Sequence, residues 1–173
     1  MKNALLILLA AVIVIASAAG LVPKEETAKA EYLRIHIRAN SNEDDDQSVK
    51  YEVKEKVVGF LTPLIAECDS KEKAMKVIGD NLRNIEKVAD RTLRERGYTY
   101  SSEARLNNEL FPTRVYESLT LDSGYYDALI LELGEGAGDN WWCVVYPPLC
   151  FVGSGNYVYK SKIKSIIDSF FNN

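Results

Sequence analysis

The sequence predicts an α+β domain in which two long helices pack on an antiparallel or mixed sheet. Three observations carry this prediction. Residues 31–39, EYLRIHIRA, alternate apolar and polar side chains with a period of two. Two longer stretches then repeat apolar residues at helical spacing. A run of short segments rich in aromatic and β-branched residues follows them. Strands gathered after a helix pair, rather than alternating with helices, argue against a doubly wound parallel sheet.

At the N terminus, Lys2, the apolar run Ala4–Ala16 and the small residues Ser17, Ala18, Ala19 and Gly20 form the three regions of a secretory signal. Small-residue cleavage sites stand at Ala16-Ser17-Ala18 and again at Ala28-Lys29-Ala30. Ala4 to Val22 also comes close to the ~20 apolar residues that cross a bilayer, so residues 1–22 read as a signal peptide or a membrane anchor. Either reading places the chain after Pro23 outside the cytoplasm, and an exported protein is expected. Residues 23–30 form a polar linker, 31–152 the domain and 153–173 a C-terminal amphipathic tail.

In the first strand Tyr32, Arg34, His36 and Arg38 take one side and Leu33, Ile35, Ile37 and Ala39 the other, giving one apolar face and one polar face on which His36 is solvated or hydrogen-bonded. The turn-forming stretch NSNEDDDQ sets acids at the positive end of the next helix. Val49, Val53, Val57, Leu61 and Ile65 are the buried stripe of that helix, and Pro63 predicts a kink or an end near Thr62. Ser70 caps the second helix, Gly97 ends it, and Ala74, Val77, Ile78, Leu82, Ile85, Val88, Ala89 and Leu93 form its buried face. Segments 98–106, 111–116, 125–133 and 141–146 read as strands, the last two joined as a hairpin by a glycine-rich loop. From Tyr157 to Phe171 apolar residues interleave with Lys160, Lys162 and Lys164, a basic amphipathic helix able to dock on its own domain or on a membrane surface.

The chemistry narrows by elimination. Basic residues number 21 against 25 acidic ones, a net charge of −4 without a basic stripe, so no nucleic-acid partner is expected. The loop GEGAG has neither the Lys-Ser/Thr of a phosphate loop nor the spacing of a dinucleotide fingerprint, and reads as a mobile hairpin loop. With one histidine in the chain, and Cys143 and Cys150 too far apart for a zinc knuckle, no metal is predicted. In an exported chain two nearby cysteines default to a disulfide, here Cys143 with Cys150, leaving Cys68 as a buried thiol. No catalytic residue is assigned. His36 lies between two arginines, no G-x-S-x-G elbow is present, and Glu43–Asp46 lacks the calcium-loop pattern. No cofactor is expected, and no acid–base pair of carboxylates is marked out. What stands out is NWWCVVYPPLC. Trp141 and Trp142 are adjacent on a strand and point to opposite faces, so one can enter the core while the other needs a cover. An exposed tryptophan beside a rigid proline loop has the composition of a binding hot spot; burial of both rings is the competing reading. Asn140, Trp141, Trp142, Pro147 and Pro148, with the Cys143–Cys150 bridge, are therefore the candidate partner-binding residues.

YLRIHIRANSNEDDDQSVKYEVKEKV, FPTRVY and GYYDALILELGEGAGDNWWCVVYPPLCF together resemble the stage II sporulation protein R family of endospore-forming Firmicutes, most specifically over Asn140 to Phe151. The resemblance implies a secreted signal rather than an enzyme. Such a protein is made in the forespore and exported into the space between the two sporulating membranes. There it triggers a membrane-embedded aspartic protease of the mother cell, the sporulation sigma-factor processing peptidase, to cleave the sigma-E precursor. The acidic run Asp44–Asp46 and the short tail Tyr157–Asn173 depart from the family pattern, and the resemblance assigns them no role. Two other readings stand beside it: an exported cell-wall hydrolase using acidic residues, and an envelope structural protein held by an uncleaved N terminus.

Overall fold

The computed structural model describes residues 31–116, 119–151 and 157–171, so the signal-or-anchor segment 1–22 and the linker lie outside the described residues. The described chain runs β1 (Leu33–Arg38), α1 (Asp44–Ile65), α2 (Lys71–Glu95), β2 (Ser102–Phe111), β3 (Arg114–Tyr116), β4 (Leu119–Leu121), β5 (Gly124–Leu133), β6 (Asn140–Tyr146), a 3-10 turn (Leu149–Phe151) and α3 (Tyr157–Phe171). This is the expected α+β class, with a mixed sheet. Four strands lie in the order β2-β5-β1-β6, with β1 parallel to β5 and antiparallel to β6, and β2 antiparallel to β5. β3 and β4 make a separate antiparallel pair.

The two long helices cover one face of the sheet. Leu33, Ile35 and Ile37 of β1, Leu129, Leu131 and Leu133 of β5, and Cys143 and Val145 of β6 meet Val49, Val53, Val57, Leu61 and Ile65 of α1 and Ala74, Ile78, Ile85, Ala89 and Leu93 of α2 in one buried core. Burial of such side chains contributes about 1.5–3 kcal/mol each. The Ser70 hydroxyl caps α2 by accepting from the Lys73 amide, 3.2 Å away, and Gly97, at φ 85°, turns the chain out of its C-terminal end. Pro63 does not end α1, which continues to Ile65. Only the last turn lies beyond it, so the one backbone donor it removes is lost where the helix is already finishing. The tail docks on its own domain: Ile163 is fully buried, and the Phe170 ring lies 5.6 Å from Tyr32 and 6.4 Å from Tyr146.

The expected β5–β6 hairpin does not form, because β1 lies between these strands. The chain leaving β5 must therefore cross the C-terminal end of β1 before it can enter β6. The loop is pinned there rather than mobile. The Ala137 amide donates to the Asn40 carbonyl (3.2 Å), the Gly138 amide to the Ala39 carbonyl (2.9 Å), and the Ala39 amide to the Asp139 carbonyl (3.4 Å). Glycine is required at this crossing. A Cβ on Gly138 would overlap the Ser41 carbonyl, and one on Gly134, at φ 58°, would overlap Asn40 Oδ1.

The stretch NSNEDDDQ forms the opposing surface. The Asp46 carboxylate accepts from Asn40 Nδ2 (2.8 Å), Ser41 Oγ (2.6 Å) and Tyr100 OH (2.6 Å). Burial pushes its pKa up, but the three hydrogen bonds outweigh burial and hold it below the ordinary aspartate value. Burial and the bond to Asp46 push the Tyr100 phenol up. Two further links fix Asp139, one to the turn before α1 and one to α1 itself: Asn42 Oδ1 accepts from the Asp139 amide (2.6 Å), and the buried Lys50 ammonium donates to the Asp139 carbonyl (3.0 Å).

Gly138→Ala should accordingly destabilise the fold by about 1–3 kcal/mol, the usual cost of forcing atoms into a packed site. Gly59→Ala, on a helix position with nothing within 4 Å of the added carbon, should stabilise it by about 0.5–1 kcal/mol. Denaturant melts of both variants check the contrast, and equal effects would contradict the crossing geometry.

Candidate functional site

The second face of the sheet is built on the polar side of β1. The sequence reading puts Arg34 and His36 on the polar face of β1, with His36 solvated or hydrogen-bonded; in the structure they are 0% and 4% exposed. The reason is that β1 is a central strand, and Phe111, Tyr126 and the β3–β4 pair close over its polar side. The Arg34 guanidinium sits 4.2 Å from the Phe111 ring centre, 4.8 Å from Tyr126 and 5.9 Å from Tyr116, and Nη2 donates to the Tyr116 hydroxyl at 2.8 Å. Desolvated cation–π contacts contribute about 2 kcal/mol, and among the described residues no carboxylate pairs with this charge. Arg34 Nε and Nη1 make no hydrogen bond.

His36 is sandwiched between Phe111 and Trp142, with ring centres 5.6 and 5.3 Å away. Neither ring nitrogen makes a hydrogen bond of good geometry, and the Glu109 carboxylate is 3.5 Å from Nδ1. Burial pushes the imidazole pKa below the ordinary 6.5, outweighing Asn140 and Glu109, which favour the charged form.

A rim of ion pairs follows. Arg38 bridges Glu109 (2.7 Å) and Glu132, and Arg105 holds both Glu132 oxygens, at 2.6 and 3.0 Å. The Arg105 hydrogen bonds, helped by Arg38 and opposed by burial, keep Glu132 below the ordinary glutamate range. A carboxylate held so firmly as an anion is an anchor rather than a proton donor at neutral pH. Among the described residues no group of three or more His, Cys, Asp or Glu is placed to hold a metal, and no helix is long and apolar enough to cross a membrane.

The candidate residues divide between the two faces. Trp141 and Trp142 point oppositely, and each is half-buried. Trp141 packs at the rim of the helix-covered core, with Lys54 Nζ 5.6 Å from its ring centre. Trp142 lies on the second face under the Arg114 guanidinium, 4.1 Å from the ring centre. Its Nε1 and the neighbouring Asn140 Oδ1 are buried without a hydrogen-bond partner. Pro147 and Pro148 are buried and offer little surface. Cys143 and Cys150 form the expected disulfide, with Cα atoms 6.3 Å apart, which closes the loop after β6. Cys68 is the buried free thiol. Sequence reasoning missed Arg34 and Arg114 as members of this face. Their only local signal is the placing of Arg114 in FPTRVY, because the rings that hold Arg34 arrive from strands far along the chain.

Fold and face together define a small α+β domain with one sheet face given to its core and the other carrying a half-buried tryptophan among arginines. The chain belongs to the stage II sporulation protein R family, whose model matches residues 29–156. Stage II sporulation protein R of Bacillus subtilis (strain 168) is a curated relative, 32% identical over 166 residues that cover 90% of this chain and 74% of the relative. No solved structure matches the chain.

Two outcomes follow. The unfolded chain takes up a proton at its single histidine near pH 6.5, whereas the folded chain resists until lower pH. The histidine contribution to stability is therefore full above pH 6.5 and is lost as the pH falls below it toward the lowered pKa of the folded state. His36→Gln should flatten that part of a denaturant-midpoint profile against pH. Separately, alkylation of the unfolded but unreduced chain should label Cys68 alone, and labelled Cys143 in a mass spectrum would contradict the bridge.

Proposed function

We propose that this protein is an exported sporulation signal. It is made in the forespore, enters the space between the two sporulating membranes and binds the extracytoplasmic part of a membrane-embedded aspartic protease of the mother cell. Binding switches on cleavage of the sigma-E precursor. Family membership supports the sporulation role.

The observation that carries the reading is the Trp142 end of the second face. A half-buried indole stacked under Arg114, with Trp142 Nε1 and Asn140 Oδ1 lacking partners, presents the residue types that dominate binding hot spots. β6 is held by β1 on one side and tied at its middle residue Cys143 to the 3-10 turn by the disulfide, so little side-chain freedom is lost on binding. Arg114 stands at the same end of this face, so a carboxylate or backbone carbonyl of the partner is the complementary group.

The test uses a non-sporulating host that produces the sigma-E precursor and the protease, with and without this chain exported. Cleavage should rise only with export. Arg114→Glu and Trp142→Ala should each weaken activation by about 2 kcal/mol or more, roughly 30-fold, while Tyr51→Ala on the helix-covered side leaves it unchanged. Cleavage indifferent to export, or normal signalling by folded Arg114→Glu and Trp142→Ala variants, would overturn the reading.

A further inference from the structure

The free edge of β2 is unfinished. β2 has a strand neighbour on one side only, β5, and its first half is covered by side chains of α2. The Ser102 amide donates to Asp90 Oδ1 at 2.7 Å, and the Ala104 amide to Glu86 Oε1 at 3.0 Å. Those two amides thus point away from β5, and strand alternation sends the amides and carbonyls of Leu106, Asn108 and Leu110 the same way. No described residue meets them there. The stretch also lacks the lysine or proline with which edge strands are usually blunted; Pro112 comes only after the strand has ended.

The end of the edge is apolar. β1 pairs with β5 only from Ala128 to Glu132, so Asn108–Phe111 and their partners Gly124–Asp127 project past the central strand. On the side away from Arg34, Leu110 and Tyr125 stand directly opposite each other and are 64% and 66% exposed. An open backbone ladder beside exposed apolar side chains fits another strand.

The residues along the edge indicate which strand. Leu106-Asn107-Asn108-Glu109-Leu110 reads nearly the same in both directions. Two copies laid antiparallel about Asn108 place Leu106 opposite the second copy's Leu110, Asn107 opposite its Glu109, and Asn108 opposite its own counterpart. Every cross-pair is apolar with apolar or amide with polar, and no like charges face each other. The outward groups of residues 106, 108 and 110 then make closely spaced pairs with about six hydrogen bonds in total, two per pair.

We infer that the protein forms a two-fold dimer by antiparallel pairing of this β2 edge, so that one sheet runs through both copies. Sedimentation of the full chain as its host exports it, over a dilution series, should show a dimer that dissociates on dilution. Asn108→Pro removes the outward-facing backbone donor together with the exposed side-chain bond to Asp127, and should give a folded monomer. Asn108→Lys and Asn108→Asp each bring like charges together at the two-fold axis and should be monomeric alone, whereas their mixture should dimerise. Asn108→Asp also faces Asp127, to which the native amide donates at 2.9 Å, so if that variant fails to fold the Pro and Lys variants decide. A wild-type monomer at every concentration, a dimer that the Pro and Lys variants leave intact, or a mixture of folded Lys and Asp chains that stays monomeric would overturn the inference.

Discussion

One steric constraint organises this domain: a chain that leaves β5 has to pass over the end of β1 to reach β6. The two layers of backbone touch, and there is no room for a side chain at Gly138. What makes the crossing stable is the layer beneath it, in which Asp46 gathers Asn40, Ser41 and Tyr100, while Asn42 and Lys50 take the amide and carbonyl of Asp139. The acidic run before α1 is therefore more than a helix-end charge effect; its third member is the buried centre of the clamp. Because Asp139 is the last residue before β6, the clamp also sets where Asn140, Trp141 and Trp142 enter the sheet.

The faces that result are held by different physics. On one side, α1 and α2 bury a continuous apolar cluster, which is worth most to stability and least to recognition. On the other, aromatic rings hold a buried guanidinium and an uncharged imidazole, and ion pairs form the rim. Such a face is less tightly satisfied, with unpaired atoms on Arg34, His36, Asn140 and Trp142. Placing Trp141 on the first face and Trp142 on the second joins the two, since the strand that stiffens the core also carries the half-buried ring of the proposed recognition face.

Much of the fold is legible locally. The helical stripes of α1 and α2, the Ser70 cap and the Gly97 stop depend on residues a few positions apart, and each appears where spacing and capping chemistry put it. Strand order is not legible, because adjacent strand-like segments with a loop between them look the same whether they pair or receive a third strand. For the same reason the glycines of GEGAG suggest a loose turn, although their absent side chains make a close crossing possible. Arg34 and His36 read only as polar-face residues from the alternation of β1, since the rings of Phe111, Tyr126 and Trp142 that bury them lie far along the chain. In the candidate site, the disulfide and the opposite facing of the two tryptophans are readable from compartment and strand periodicity. The burial of Pro147 and Pro148 and the stacking of Arg114 are not, because both depend on how distant segments fold back.

Hydrogen exchange at the crossing tests this account most directly. If the loop is clamped, the amides of Ala39, Ala137 and Gly138 should exchange only through global unfolding, as slowly as the amides of β1 and β5. Exchange as fast as that of an exposed turn would mean that the crossing opens on its own, and Trp142 would then lack the fixed position on which the proposed recognition face depends.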